Sequence, residues 1–182
     1  RLTDEEIIGN LMLILLAGHD TTLNTMALSI DALSRDPEAV AFMRANPEKT
    51  LNSVMELSRY IAMSTHQGRI VAEDFEWCGQ QLKKGQPVHI MTAGANRDPK
   101  VFENPEQLDL TRNQMQDLAF GPGIHHSIGH LFAKMQLTEF FPQFLELFER
   151  WEILDEAFVW SASVTFRGPI AMHVRLHPRA AS

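Results

Sequence analysis

The sequence predicts a mainly α chain with small β-sheets. Three observations carry that prediction. A helix-initiating box at Thr3 opens a helical pattern that runs without a break to about Arg35. From Arg69 the chain changes to short alternating segments separated by turn residues. A second amphipathic helical pattern begins directly behind a loop, residues 120–129, that two glycines and a proline stiffen.

The elements follow in order. Thr3-Asp4-Glu5-Glu6 puts Thr at the N-cap and Glu three residues later, a pairing that satisfies two free backbone amides reciprocally. The pattern it opens is roughly 50 Å long at about 1.5 Å per residue, enough to cross a whole domain. Asp36-Pro37 ends it and starts a short helix over 37–45, because Asp caps and Pro suits the first helical turn. Pro47 opens a third helix, to about Tyr60. Arg69 to Phe75 and Gln86 to Met91 read as strands, with Gly79 and Lys84-Gly85 as turns between them. Asn96 to Gln116 is polar, contains Pro99 and Pro105, and reads as an ordered meander. Ile128 to about Trp151 reads as helix, in which Pro142 removes a backbone donor and marks a kink or the last turns. The tail Ala171-Met172-His173-Val174-Arg175-Leu176 alternates as a strand does. There is no internal repeat and no low-complexity stretch.

The 182 residues suit one domain with a sizeable core. A net charge of −7 argues against nucleic acid, which needs a concentrated basic surface. The most apolar run, Leu11 to Gly18, is stopped by His19 and Asp20, so no membrane span and no membrane partner is expected. No signal-peptide pattern is present, and the single cysteine, Cys78, excludes an internal disulfide framework, so a cytoplasmic location is expected. The chain starts two positions ahead of a helix, which reads as a fragment.

Four constellations carry chemistry. Phe120-Gly121-Pro122-Gly123-Ile124-His125-His126-Ser127-Ile128-Gly129 delivers one small side chain to a helix start, where free amides and the helix dipole favour an electron-rich atom. Ala17-Gly18-His19-Asp20-Thr21-Thr22 places a glycine and three backbone-competing side chains inside an apolar helix, which marks a close approach to the backbone or a bulge. Glu56 and Arg59, at i and i+3, share one helix face. Ala95-Asn96-Arg97-Asp98-Pro99 makes a turn whose side chains can tie down local backbone. His126 and His130, at i and i+4, could chelate a metal, but no local carboxylate completes a known motif and a separate zinc site is disfavoured. Cys78, in a hairpin turn far from the loop, reads as a small side chain and not as a displaced ligand.

The loop resembles the haem-ligand loop of the cytochrome P450 superfamily, Phe-Gly-x-Gly-x-His-x-Cys-x-Gly, at every fixed position but one. Where the family has its iron-ligating cysteine, this chain has Ser127. The order of elements likewise resembles the C-terminal, haem-binding half of that fold, over residues 1–182 as part of a single domain, with the N-terminal half absent. The resemblance implies haem b as cofactor, with Ser127 at the metal-ligand position. Phe120, Gly121, His125, Gly129, Arg69 and Ala17 are then cofactor-binding, Arg69 and His125 through the propionates. It makes Asp20 and Thr21 the catalytic acid–alcohol pair that relays protons to dioxygen, and Glu56 and Arg59 a buried structural pair pinning the meander. A third arginine usually joins that pair, and Gln107 stands at the position read as corresponding. The implied activity is monooxygenation of a small hydrophobic substrate, with a ferredoxin-type electron donor and the missing N-terminal half as partners. Leu13, Leu16 and Ala17, residues 62–67 and residues 161–164 are the expected pocket wall.

Serine changes that chemistry. A thiolate pushes electron density onto iron and favours O–O cleavage, whereas a hydroxyl is harder and neutral. Either the iron keeps a weak oxygen ligand, with monooxygenation crippled, or haem is lost and a P450-like scaffold or interaction protein remains. Such a substitution also suits an engineered serine-ligated variant for carbene or nitrene transfer. His126 is the neighbouring alternative ligand.

Overall fold

The computed structural model describes residues 1–112 and 117–180. Helix α1 spans Asp4–Ser34 and is capped as expected: Glu6 N donates to Thr3 Oγ1 at 3.3 Å and Thr3 N to Glu6 Oε2 at 2.8 Å. Helix α2 spans Pro37–Ala45, with Asp36 Oδ1 accepting from Ala39 N at 2.9 Å. A 3₁₀ turn over Pro47–Lys49 leads into α3, Thr50–Ile61, which ends where Ala62 turns left-handed at φ 45°.

The predicted strand from Arg69 to Phe75 is two strands in different sheets. Strand β1, Gln67–Ile70, pairs antiparallel with a strand at Pro87–Ile90, while β2, Phe75–Trp77, pairs with β3, Gln80–Leu82. The break has a local cause. Asp74 accepts from Lys83 Nζ at 2.8 Å and Lys84 N at 2.9 Å, which folds the chain back, and acidic residues suit strands poorly. Cys78 and Gly79 form the β2–β3 turn, both at positive φ as a tight hairpin requires, and the cysteine is exposed. The Pro87–Ile90 strand, β4, runs into a one-turn helix, α4, Thr92–Ala95, too short to leave a periodic signal.

Helix α5 spans His130–Leu147, and the predicted continuation to Trp151 is corrected: residues 148–153 form strand β5, paired with β6, Val174–Pro178. The helix passes through Pro142 and ends five residues later. Its end is fixed from far away in sequence. Arg44 donates to Leu145 O at 3.3 Å, Phe148 O at 2.7 Å and Glu149 O at 2.9 Å, satisfying carbonyls that a helix terminus frees. Trp151 is buried and donates to Ile30 O on α1 at 2.9 Å, which only an extended chain at this point achieves.

The main core lies between α2, α3, α5, β5 and the C-terminal part of α1. Leu33, Val54, Leu57, Leu137 and Phe141 are its most buried apolar members. The N-terminal part of α1 is different: Leu11 to Leu16 are all exposed. By length and composition α1 could cross a membrane, contrary to the expectation, because His19 and Asp20 alone do not interrupt an apolar stretch of this length.

Candidate functional site

The loop is closed by its own backbone. Ser127 N donates to Phe120 O at 2.8 Å, His126 N to Gly123 O at 3.0 Å and Gly121 N to Leu118 O at 3.1 Å. Gly121 and Gly123 sit at φ 78° and 62°, where other residues are strained. At Gly121 a Cβ would also lie 3.0 Å from Gln67 Nε2. Ser127 is thus presented three residues ahead of α5, beside a glycine: a Cβ on Gly129 would stand 3.9 Å from Ser127 Oγ. Ser127 and His125 are exposed, and Ile124 and Ile128 are 98% and 101% exposed. His126 is held by Nδ1 at 2.7 Å from Gly121 O.

Gln67, which the sequence did not single out, joins β1 to the loop. Its side chain meets Gly121, and its Oε1 accepts from Arg69 Nη2 at 3.1 Å. Arg69 is therefore brought to the loop on the same strand face, two residues on. On α1 the Ala17–Thr22 segment is regular helix, without the bulge its composition allows. Thr21 Oγ1 donates back to Ala17 O at 2.6 Å, which absorbs the hydroxyl that would otherwise compete with the helix. Asp20 and Thr21 are half-buried, while Ala17 and Gly18 are exposed.

The Glu56–Arg59 pair is buried, at 4% and 1% exposure. Arg59 has five N–H donors and each meets an acceptor: Glu56 Oε2 at 2.7 Å, Glu56 Oε1 at 2.8 Å, and the carbonyls of Asn96 at 2.8 Å, Pro105 at 2.9 Å and Gln107 at 3.1 Å. The assignment of the third position to Gln107 is corrected. Gln107 contributes only its carbonyl, and the second cation is Arg112, whose Nε lies 3.2 Å from Glu56 Oε1. A one-sequence reading of a meander has no periodicity to set the register, so the arginine five residues on was missed. Asp109 N completes the carboxylate at 3.1 Å, and Phe102 stacks under Arg59 with 5.2 Å between guanidinium and ring centre. Asn96 carries the network to the loop, since its Oδ1 accepts from Leu118 N at 2.7 Å. Arg97 and Asp98 tie down backbone as expected, Arg97 on Tyr60 O and Asp98 on Lys100 N.

Two carboxyls near the site have shifted affinities for protons. Burial pushes Asp117, at the loop's entry, above the ordinary range despite its bond from Ala119 N. The Thr111 hydroxyl holds Asp109 below it. A cavity of about 580 Å³ is lined by Leu28, Tyr60, Arg97, Trp160 and Arg167 among others and contains none of the loop residues. Two of the three expected wall segments meet: Thr65 N donates to Thr165 O at 2.9 Å and Thr65 Oγ1 to Val164 O at 2.6 Å, joining 62–67 to the 161–164 turn, while Leu13, Leu16 and Ala17 are exposed.

The donor set bears directly on haem. Exposed apolar side chains at Ile124, Ile128, Leu13 and Leu16, with Arg69 and His125 as the cation-capable groups, suit an apolar, dianionic group. The missing Cβ of Gly129 leaves room beside Ser127. The hydroxyl at 127 fits less well: it is not the soft, anionic donor that oxygen activation at haem uses.

Known proteins agree with this architecture. The family profile for Cytochrome P450 matches residues 50–160. The biotin biosynthesis cytochrome P450 of Bacillus subtilis is 35% identical over 136 residues, 75% of this chain and 34% of that protein. The putative cytochrome P450 133B1 of Xylella fastidiosa is 34% identical over 98% of this chain and 45% of its own length. The crystal structure of P450BioI in complex with hexadec-9Z-enoic acid ligated acyl carrier protein superposes with a TM-score of 0.91 at 30% identity, covering 97% of this chain and 46% of that one. The chain thus spans less than half the length of these relatives, and its fold is the C-terminal, haem-binding half of theirs. A loop matched at all fixed positions but one, a satisfied Glu–Arg–Arg network and these likenesses make this chain a member of the cytochrome P450 family.

Proposed function

We propose that this chain is the haem-binding part of a P450-type oxidoreductase whose oxygen chemistry is weakened by Ser127. The carrying observation is the closed Phe120–Gly129 loop, which offers residue 127 ahead of α5. Haem b, when bound, supplies the iron redox centre. Arg69 and His125 hold its carboxylates, Phe120, Gly121, Gly129 and Ala17 line it, and Ser127 stands as the metal ligand. Asp20 and Thr21 hold and pass protons, Thr21 Oγ1 exchanging its bond to Ala17 O for one to a substrate-side acceptor. The hydroxyl donates less electron density than a thiolate, so monooxygenation is impaired while the scaffold stays intact.

The N-terminal half of the fold, covalent or not, covers the exposed face of α1, which makes α1 an internal helix of one larger domain and not a membrane span. Residues 1–182 are the C-terminal part of that domain, cytoplasmic, with no membrane or nucleic-acid partner. Electrons come from a ferredoxin-type donor. The substrate is a small hydrophobic molecule, a class to which the fatty acid carried in the P450BioI complex also belongs.

The test is the ferrous carbon monoxide spectrum of the chain assembled with its other half, parent against Ser127→Cys. The helix start lowers the thiol pKa and favours thiolate, so the variant's Soret band moves to longer wavelength than the parent's. Identical spectra remove residue 127 as the ligand. A parent that takes up no haem while Ser127→Cys does supports a haem-free scaffold instead.

A further inference from the structure

We propose that His126 and His130 form a two-histidine site for a divalent transition ion, Cu²⁺ foremost, on the loop–α5 junction and independent of haem. His126 Nδ1 lies 2.7 Å from Gly121 O, and His130 Nδ1 lies 2.8 Å from Ser127 O. A carbonyl only accepts, so both rings carry their hydrogen on Nδ1. In the neutral rings this leaves both Nε2 lone pairs bare. Metal-binding imidazoles have this arrangement, with the second nitrogen oriented by a backbone carbonyl. The sequence spacing i, i+4 could not supply that fact, because it says nothing of tautomers.

Ring separation then sets the reach. The two ring centres are 4.4 Å apart. Two imidazoles bound to one ion at about 2.05 Å stand with centres about 4.5 Å apart at a right angle and about 5.2 Å apart at a tetrahedral angle. The observed spacing puts both rings within reach of one ion, and of the divalent ions that imidazole suits Cu²⁺ binds most strongly, ahead of Ni²⁺ and Zn²⁺. Imidazole donors without a carboxylate exclude Ca²⁺ and Mg²⁺. Among the described residues no group of three or more His, Cys, Asp or Glu converges, so water completes the coordination. Both side chains are held by rigid parts: His126 by the closed loop, His130 by the first turn of α5. Lys134 stands 5.3 Å from the centre of Phe120, a ring that neighbours both histidines, and its charge opposes the ion, which keeps the affinity modest.

The experiment is a Cu²⁺ titration by calorimetry, with electron paramagnetic resonance of the one-to-one complex, on the chain assembled with its other half and expressed without a histidine tag. One equivalent binds, and the spectrum shows two nitrogen ligands. His126→Asn and His130→Asn keep a side-chain N–H to donate to the carbonyl but remove Nε2, so they fold like the parent by circular dichroism. Each weakens binding by at least the roughly tenfold that even a change in a supporting contact costs a metal site. The double variant His66→Ala/His89→Ala, at the other close histidine pair with ring centres 4.9 Å apart, leaves it unchanged. Absent binding, unchanged affinity in both Asn variants, or loss confined to the 66/89 variant overturns the proposal. None of these readouts involves haem, so they stand apart from the spectra of Ser127→Cys.

Discussion

Removing the Glu56 carboxylate should be among the most destabilising single changes available in this chain, and the structure gives the size of the effect. Glu56 accepts four hydrogen bonds, two from Arg59 and one each from Asp109 N and Arg112 Nε. Glu56→Ala strips two of five partners from a guanidinium that is 1% exposed, and one from Arg112, leaving two cations facing each other. Breaking a buried pair by deleting one partner costs about 3–5 kcal/mol, because the remaining charge is uncompensated. Against a typical stability of roughly 5–15 kcal/mol, that is a large share. An exposed pair supplies the control: Arg97 and Glu106 are 3.2 Å apart, but Glu106 is 75% exposed, and Glu106→Ala should cost at most about 1 kcal/mol. Urea denaturation of parent, Glu56→Ala, Glu56→Gln and Glu106→Ala, all assembled with the other half of the fold, measures this. Glu56→Gln, which keeps the shape and one acceptor, should fall between the extremes. A Glu56→Ala protein whose free energy of unfolding lies within about 0.5 kcal/mol of the parent would refute the buried-network reading.

Two further outcomes are expected. A Cβ on Gly168 would lie 2.1 Å from Asn24 Oδ1, so Gly168→Ala should destabilise by about 1–3 kcal/mol, and Asn24→Ala should recover part of that loss in the double variant; additive losses in a double-mutant cycle would contradict the contact. Burial raises the Asp117 pKa, so the folded state holds its proton longer than the unfolded chain does. Its contribution to stability is full below the ordinary carboxyl range and is lost as pH rises through the raised value, and Asp117→Asn should remove that decline from a plot of stability against pH while other groups titrate as before.

Much of this was legible in the residues because the signals were local. The Thr3 box, the Asp36-Pro37 break and the glycines of the loop act within a few positions, and each formed as its chemistry requires. What escaped reading is decided at a distance. Arg44 reaches carbonyls about a hundred residues on to end α5, and Trp151 is drawn into an extended chain by Ile30 O. Arg112 joins Glu56 from a meander with no period to fix its register. Gln67 matters through contact with Gly121, a glycine whose need for an empty Cβ position is visible only once β1 is beside it. The tautomers of His126 and His130 are likewise set by carbonyls that spacing alone does not locate.

These long-range contacts explain why the residue at position 127 can change while the fold persists. The loop that carries Ser127 is positioned from behind, through Leu118 N to Asn96, from Asn96 O to Arg59, and from Arg59 to Glu56. From the side it is positioned by Gln67. None of those bonds involves the Ser127 side chain, which is exposed and contributes its backbone N–H to Phe120 O and its carbonyl to His130. Exchange of sulfur for oxygen at that one atom therefore leaves packing and hydrogen bonding untouched and alters only the donor character offered to a bound group. Ser127→Cys consequently tests chemistry without testing folding, whereas Glu56→Ala tests folding and, through the same chain of bonds, should loosen the presentation of residue 127.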